Sequence, residues 1–272
     1  MRYCPSESAM NPKPVTVPEF RSAKSQARRL AVVTAYDYTS AKIADQAGID
    51  CILVGDSLGM VVQGLPNSLP VSLGEMIYHT RCVARAVKHA LIVADLPFLS
   101  YQVSPAQAVR SAGKLLKAGA HAVKLEGGER MVDAIAACHR ADIPVMGHVG
   151  LTPQSIHRFG GFKVQRDEDL TLRDAKAVEL AGAFSIVIEG VPSTLGAKVT
   201  NTVNVPTIGI GAGAECDGQV LVWHDLLGLY DEFRPKFVKR YAELGTAAKG
   251  AIGEYIREVK DGTFPGSEHG FQ

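Results

Sequence analysis

Three stretches of this chain repeat one short pattern, and each ends in an acid. They are Ala47-Gly48-Ile49-Asp50-Cys51-Ile52-Leu53-Val54-Gly55-Asp56, Ala118-Gly119-Ala120-His121-Ala122-Val123-Lys124-Leu125-Glu126 and Ala181-Gly182-Ala183-Phe184-Ser185-Ile186-Val187-Ile188-Glu189. Each reads as a helix stop at Ala-Gly, a tight turn, a buried strand, and a carboxylate where the strand ends. A fourth strand, Leu91-Ile92-Val93-Ala94-Asp95, ends the same way. Nearly continuous apolar runs of this kind fit parallel strands covered on both faces. They place strands at about 31–36, 51–55, 91–95, 121–125, 144–148, 185–188, 206–210 and 220–223. Eight is the count of a (β/α)8 TIM barrel. With 272 residues, 46% of them hydrophobic, the chain is large enough for one such α/β barrel. The reading is one barrel domain over residues 13–272, preceded by a loose extension over 1–12.

The helix signals agree. Ser104-Pro105 is an N-cap followed by proline at the first helical position, and Val109, Ala112 and Leu116 then follow at helical spacing. An additional helix over about 17–28 precedes the first strand and is placed to cap the bottom of the barrel. Between the seventh and eighth strands only residues 211–219 intervene, too few for a helix with its turns, so that connection is reduced. Residues 57–72 and 149–170 form long connections leaving strand C-termini, where active-site loops belong and where closure over a substrate is expected.

Composition excludes several classes. Basic residues number 29 and acidic ones 28, so bulk charge offers nothing to nucleic acid or an anionic membrane. Five cysteines form no C-x-x-C pair and read as buried thiols in a reducing compartment. No run reaches membrane-spanning length and the first thirty residues carry no signal-peptide core, which points to a cytoplasmic protein.

A parallel barrel brings all its strand C-termini to one mouth. Carboxylates gathered there repel one another unless a cation or a proton joins them. Asp56, Asp95 and Glu126 are the metal candidates, and hard oxygen ligands without a Cys or His cluster favour Mg²⁺ over Zn²⁺. Taken singly, each could instead cap a helix or pair with a lysine. Lys124 lies two residues before Glu126 on the same strand face. A lysine facing a barrel interior needs an anion: a substrate carboxylate, a developing oxyanion, or a structural partner among the acids. Schiff-base chemistry is a further use of such a lysine. Glu189 follows Val187 and Ile188, and apolar surroundings would suit it to proton abstraction; a fourth ligand or a helix cap is the other reading. His148, ending the fifth strand, either donates a hydrogen bond to substrate or is a satisfied core histidine. Gly209-Ile210-Gly211-Ala212-Gly213-Ala214 fits a dinucleotide fingerprint formally, but no helix has room to follow it. Its glycines serve a tight turn and close approach of a ligand.

Val54-Gly55-Asp56-Ser57-Leu58-Gly59-Met60 with Gln63-Gly64, Ala94-Asp95-Leu96-Pro97-Phe98, Val123-Lys124-Leu125-Glu126-Gly127-Gly128, Gly147-His148-Val149-Gly150-Leu151-Thr152-Pro153-Gln154 and Ile208-Gly209-Ile210-Gly211-Ala212-Gly213 together resemble the ketopantoate hydroxymethyltransferase family. The resemblance runs from about Val32 to Gly266. It implies hydroxymethyl transfer from 5,10-methylenetetrahydrofolate to 3-methyl-2-oxobutanoate, giving 2-dehydropantoate for pantothenate biosynthesis, with Mg²⁺ and a metal-stabilised enolate. Carried over by position, Asp56, Asp95 and Glu126 correspond to metal-associated acids, Ser57 and Lys124 to substrate-binding residues, and Glu189 to the catalytic base. Asp56 and Asp95 then also face the oxo acid, and His148 joins them as a substrate-side residue. Homo-oligomers, often decamers, are also implied. The rival with the same acids is a Mg²⁺-enolate lyase or mutase of the isocitrate lyase kind, which needs no folate. A catalytically dead barrel is disfavoured by the complete acid set with Lys124.

Overall fold

A computed structural model describes residues 13–271. Eight parallel strands close into a barrel: β1 (Leu30–Thr34), β2 (Cys51–Val54), β3 (Leu91–Asp95), β4 (Ala122–Glu126), β5 (Val145–Gly150), β6 (Ser185–Glu189), β7 (Thr207–Ile210) and β8 (Gly218–Leu221), with β8 returning to β1. The chain divides into two compact units, one ending at Leu221 and a second from Val222, where the sequence reading drew a single domain over 13–272. The extension over 1–12 lies outside the described residues.

The eighth strand begins two residues earlier than its hydropathy suggests. Its register on β1 runs from Leu30↔Gly218 to Val33↔Leu221. A Cβ on Gly218 would stand 2.5 Å from the Leu30 carbonyl oxygen, so only glycine fits where β8 meets β1. Trp223, read as strand, instead opens a short helix of the second unit.

The capping helix α1 (Val17–Ser22) starts at a reciprocal capping box between Thr16 and Glu19. It is shorter than the expected 17–28 because the chain turns over residues 23–27 and Ala27 takes a left-handed φ of 52°. Phe20 and Ala23 are fully buried among Leu30, Cys51, Leu91, Ala122 and Phe184 at the strand N-termini, closing the floor. Phe20 meets Phe184 edge-on, centroids 5.9 Å apart.

Above that floor, strand alternation decides what faces inward. Leu53, Val93, Ala122, Met146, Val187 and Ile208 belong to the interior core. Two residues further along, the same face carries Gly55, Asp95, Lys124, His148, Glu189 and Ile210. The interior therefore changes from hydrocarbon to charge within one layer, and it does so on the consecutive strands β3 to β6.

The connections follow the expected plan. α2 (Tyr38–Gln46) connects β1 to β2, and the short α3 (Leu58–Val61), with Ser57 at its N-cap position, and α4 (Leu73–Ala84) lie between β2 and β3. α5 (Pro105–Lys117) and α6 (Val132–Arg140) follow β3 and β4. After β5 the chain makes a 3-10 turn at Pro153–Ser155 and α7 (Ile156–Phe159) before α8 (Glu168–Leu180). α9 (Ser193–Thr202) follows β6. Residues 211–217, between β7 and β8, contain no helix. There Gly211 and Gly213 have φ of 62° and 92°, and a Cβ on Gly213 would sit 2.6 Å from the Ser193 Cβ. The turn expected of these glycines is present, and Gly213 packs closely against Ser193 at the start of α9. The second unit carries α10 (Trp223–Leu227) and the 18-residue α11 (Leu244–Asp261).

Candidate active site

The end of β3 lies beside β4, with Asp95 in register with Lys124. Lys124 Nζ stands 3.0 Å from Asp95 Oδ1 and 4.0 Å from Glu126 Oε1. Glu126 is in register with His148 on β5, and His148 Nδ1 lies 3.6 Å from Glu126 Oε1. The other ring nitrogen, Nε2, lies 3.3 Å from Glu189 Oε2 at the end of β6. One row of contacts thus joins five of the residues singled out in the sequence. Glu189 is not enclosed by apolar groups alone, as its neighbours in sequence suggested, because His148 reaches it from the adjacent strand. Asp95, Lys124, Glu126 and His148 are buried, whereas the Glu189 side chain keeps 16% of its surface exposed.

Burial penalises every charge here, so the directions of the pKa shifts tell which neighbours win. Burial pushes Lys124 down, yet the Asp95, Glu126 and Asp56 carboxylates hold it above the usual lysine range. Burial and the adjacent ammonium push His148 down, but the neighbouring Glu126 and Glu189 carboxylates outweigh both and bring it to about 9. Lys124 Nζ and His148 Nδ1 are only 3.3 Å apart, a spacing two cations tolerate only between flanking carboxylates. Glu126 ends below the ordinary glutamate value despite its burial, because His148 and Lys124 favour its charge. Asp95 is raised by burial against the opposing pull of Lys124. Asp56 is raised furthest among the aspartates, by burial and then by repulsion from Asp95 and Glu126.

Asp56 joins the row from the end of β2. Its backbone N–H donates to Asp95 Oδ2 at 3.0 Å, and its Oδ2 accepts from Gln154 Nε2 at 2.9 Å. Gly55 keeps the approach open, since a Cβ there would meet Ser57 Oγ at 2.8 Å. Ser57 lies on the far side of Asp56, its hydroxyl 2.9 Å from that of Tyr36. Two participants escaped the sequence reading: Gln154, although its motif was noted, and Tyr101, whose hydroxyl accepts from the Glu126 N–H at 3.0 Å. Nothing in a loop sequence marks either for burial.

Four carboxylates, those of Asp56, Asp95, Glu126 and Glu189, share one ammonium and one imidazolium, an excess of two negative charges when all are ionised. That donor set fits a hard dication. Among the described residues no three Asp, Glu, His or Cys side chains stand together as a ready-made cage. Mg²⁺ does not require one, since it usually takes one or two carboxylates and completes its shell with water and substrate oxygens. Asp56 and Asp95 are the residues that would hold it, with Glu126 beside them.

A family model described as ketopantoate hydroxymethyltransferase matches residues 14–267. A 3-methyl-2-oxobutanoate hydroxymethyltransferase of Pelobacter propionicus is 54% identical over 263 residues, covering 95% of this chain and 98% of that protein. One of Moorella thermoacetica is 55% identical with the same coverages. Among solved structures, phosphonopyruvate hydrolase in complex with oxalate and Mg²⁺ superposes with a TM-score of 0.63 at 18% identity, covering 93% of each chain. The superfamily member 2,3-dimethylmalate lyase superposes at 0.58 and 18% identity, covering 93% of this chain and 92% of its own. At such identity the last two are like this chain in fold.

Proposed function

The chain belongs to the ketopantoate hydroxymethyltransferase family, and from that membership we propose that it transfers a hydroxymethyl group from 5,10-methylenetetrahydrofolate to 3-methyl-2-oxobutanoate, giving 2-dehydropantoate. The observation that carries the reading is the unbroken contact row Asp95–Lys124–Glu126–His148–Glu189 across four strand ends. It sets two cations and one partly exposed carboxylate around a single point in the mouth. Mg²⁺ held by Asp56 and Asp95 would act as a Lewis acid on the oxo acid's oxygens.

The chain's own residues account for the rest. Lys124 and His148 supply positive charge where the enolate oxygen develops, preorganised by the acids that flank them. Glu189 is the proton acceptor for the carbon beside the keto group. His148 Nε2 lies 3.3 Å from its Oε2 without hydrogen-bonding geometry, and neither carboxylate oxygen accepts a hydrogen bond among the described residues. Deprotonation breaks that C–H bond. Water hydrolyses the folate's methylene bridge, breaking its C–N bonds and giving formaldehyde and free tetrahydrofolate. The carbon then attacks that formaldehyde, a C–C bond forms, and the proton held by Glu189 passes to the new hydroxyl oxygen. Ser57, beside Asp56, is read as a further contact to the oxo acid.

An assay with 3-methyl-2-oxobutanoate, Mg²⁺ and methylenetetrahydrofolate tests this directly. Product formation dependent on the folate is expected. Carbon–carbon cleavage of a 2-oxo or 2-hydroxy acid without folate would favour the lyase reading instead.

The same reading includes a cytoplasmic setting and self-association. Cys51, Cys82, Cys138 and Cys216 are all free thiols, as a reducing compartment keeps them, and no helix among the described residues is long and apolar enough to cross a membrane. On α11, Ile252, Tyr255, Ile256 and Val259 recur at helical spacing and are all exposed, and no residue of the helix is buried. We assign this stripe to contact with further copies of the chain. Light scattering should give a mass of several protomers for the wild type and a smaller one for an Ile252→Asp, Ile256→Asp double variant. A wild-type mass of one protomer would refute the assignment.

A further inference from the structure

We propose that Gln154 is the positioning residue of the mouth, orienting Asp56 and Glu126 and making the connection after β5 part of the catalytic apparatus. The proposal rests on the metal-assisted reading above and adds to it a residue that neither the family membership nor the strand pattern assigns.

Gln154 sits in the 3-10 turn after β5, where it is 7% exposed. Its hydrogen bonds explain why. Nε2 donates to Asp56 Oδ2 and to the Leu96 carbonyl oxygen, both at 2.9 Å. Oε1 accepts from Gln102 Nε2 at 3.0 Å and lies 2.9 Å from the Tyr101 hydroxyl. Its backbone N–H donates to Glu126 Oε2 at 2.9 Å. Both amide hydrogens are used, and the oxygen accepts from Gln102 and from the Tyr101 hydroxyl, whose one proton is shared with the Glu126 carbonyl oxygen. A fully satisfied buried network has one low-energy arrangement. The amide cannot turn over, because its oxygen would then face the Asp56 carboxylate and the Leu96 carbonyl, and its NH₂ would face that of Gln102.

The placement bears on function because two of the partners are acids of the site. Gln154 engages one oxygen of Asp56 and leaves Oδ1 for a ligand. The Asp56 side chain accepts no other hydrogen bond among the described residues, so nothing else fixes its rotation. On Glu126, Gln154 holds Oε2 while Lys124 and His148 face Oε1. One glutamine from the β5 connection thereby sets the directions in which acids at the ends of β2 and β4 present their oxygens. Tyr101, bonded to both the Glu126 backbone and the Gln154 amide, extends the same support to the loop after β3.

Gln154→Met keeps the volume and the backbone N–H but removes all the side-chain hydrogen bonds. Calorimetric titration with Mg²⁺ should show about 10–100-fold weaker binding than wild type, the usual cost of losing a group that orients metal ligands. Far-UV circular dichroism should be unchanged, and kcat should recover as Mg²⁺ is raised, a split that mere loosening of the loop would not produce. If Gln154→Met does not fold, Tyr101→Phe decides, with weakening of about tenfold or less in the same direction. Wild-type Mg²⁺ affinity in a folded Gln154→Met, or in Tyr101→Phe where the first does not fold, overturns the proposal. Absence of Mg²⁺ binding in the wild type overturns the metal reading itself, and the two failures are told apart by which protein fails to respond.

Discussion

Glu189→Gln is expected to bind 3-methyl-2-oxobutanoate and Mg²⁺ normally and to lose most exchange of the substrate's C3 proton with deuterated water. The amide keeps the shape of the side chain and keeps an oxygen facing His148 Nε2, which lies 3.3 Å from Glu189 Oε2. Only the capacity to take a proton at neutral pH is gone. Loss of a general base costs about 10²–10⁴-fold in rate. Exchange requires no folate, so proton NMR on the binary complex isolates this step from the transfer. In this variant Glu126 still favours the protonated form of His148, although the pull of Glu189 is gone. Exchange at the wild-type rate would remove Glu189 from the mechanism.

Lys124→Met is expected to be the most damaging single change in the barrel. The ammonium is buried between Asp95, at 3.0 Å, and Glu126, at 4.0 Å. Removing one partner of a buried ion pair typically costs about 3–5 kcal/mol, because the remaining charges stay uncompensated. Urea unfolding should show that loss, and turnover should fall with it. Mg²⁺ should stabilise the variant more than the wild type, since the dication would be the acids' remaining source of positive charge. A variant as stable as wild type would mean that the acids ionise little in the folded protein, contrary to their arrangement around Lys124.

Much of this was legible in the sequence because parallel strands leave a strong record. Their continuous apolar runs and Ala-Gly stops located β2, β3, β4 and β6 within about a residue. Alternation along β4 put Lys124 and Glu126 on one face, and both do reach the same cluster. What escaped depended on contacts between distant segments. β8 begins at Gly218 because Leu30 leaves no room for a side chain, which hydropathy does not see. α1 stops early where Ala27 turns left-handed and the chain heads for β1. His148 as the partner of Glu189 required the stagger of β5 against β6. Gln154 and Tyr101 lie in loops, where burial follows from how the loop closes rather than from any periodicity.

The layer in which hydrocarbon gives way to charge does not run all the way round. β3 to β6 present Asp95, Lys124, His148 and Glu189, while the next strand presents Ile210, in register with Glu189. The mouth therefore changes from charge on β3 to β6 to hydrocarbon at Ile210 of β7, and Glu189 stands on that frontier. A molecule with a charged head and a branched aliphatic tail is sorted by that frontier before any individual contact is made. On the proposed function, its head would face the charged arc and its branch Ile210, and the carbon that joins them, which carries the acidic proton, would lie against Glu189. Polarity by itself sets the direction from which the bond to hydrogen is approached.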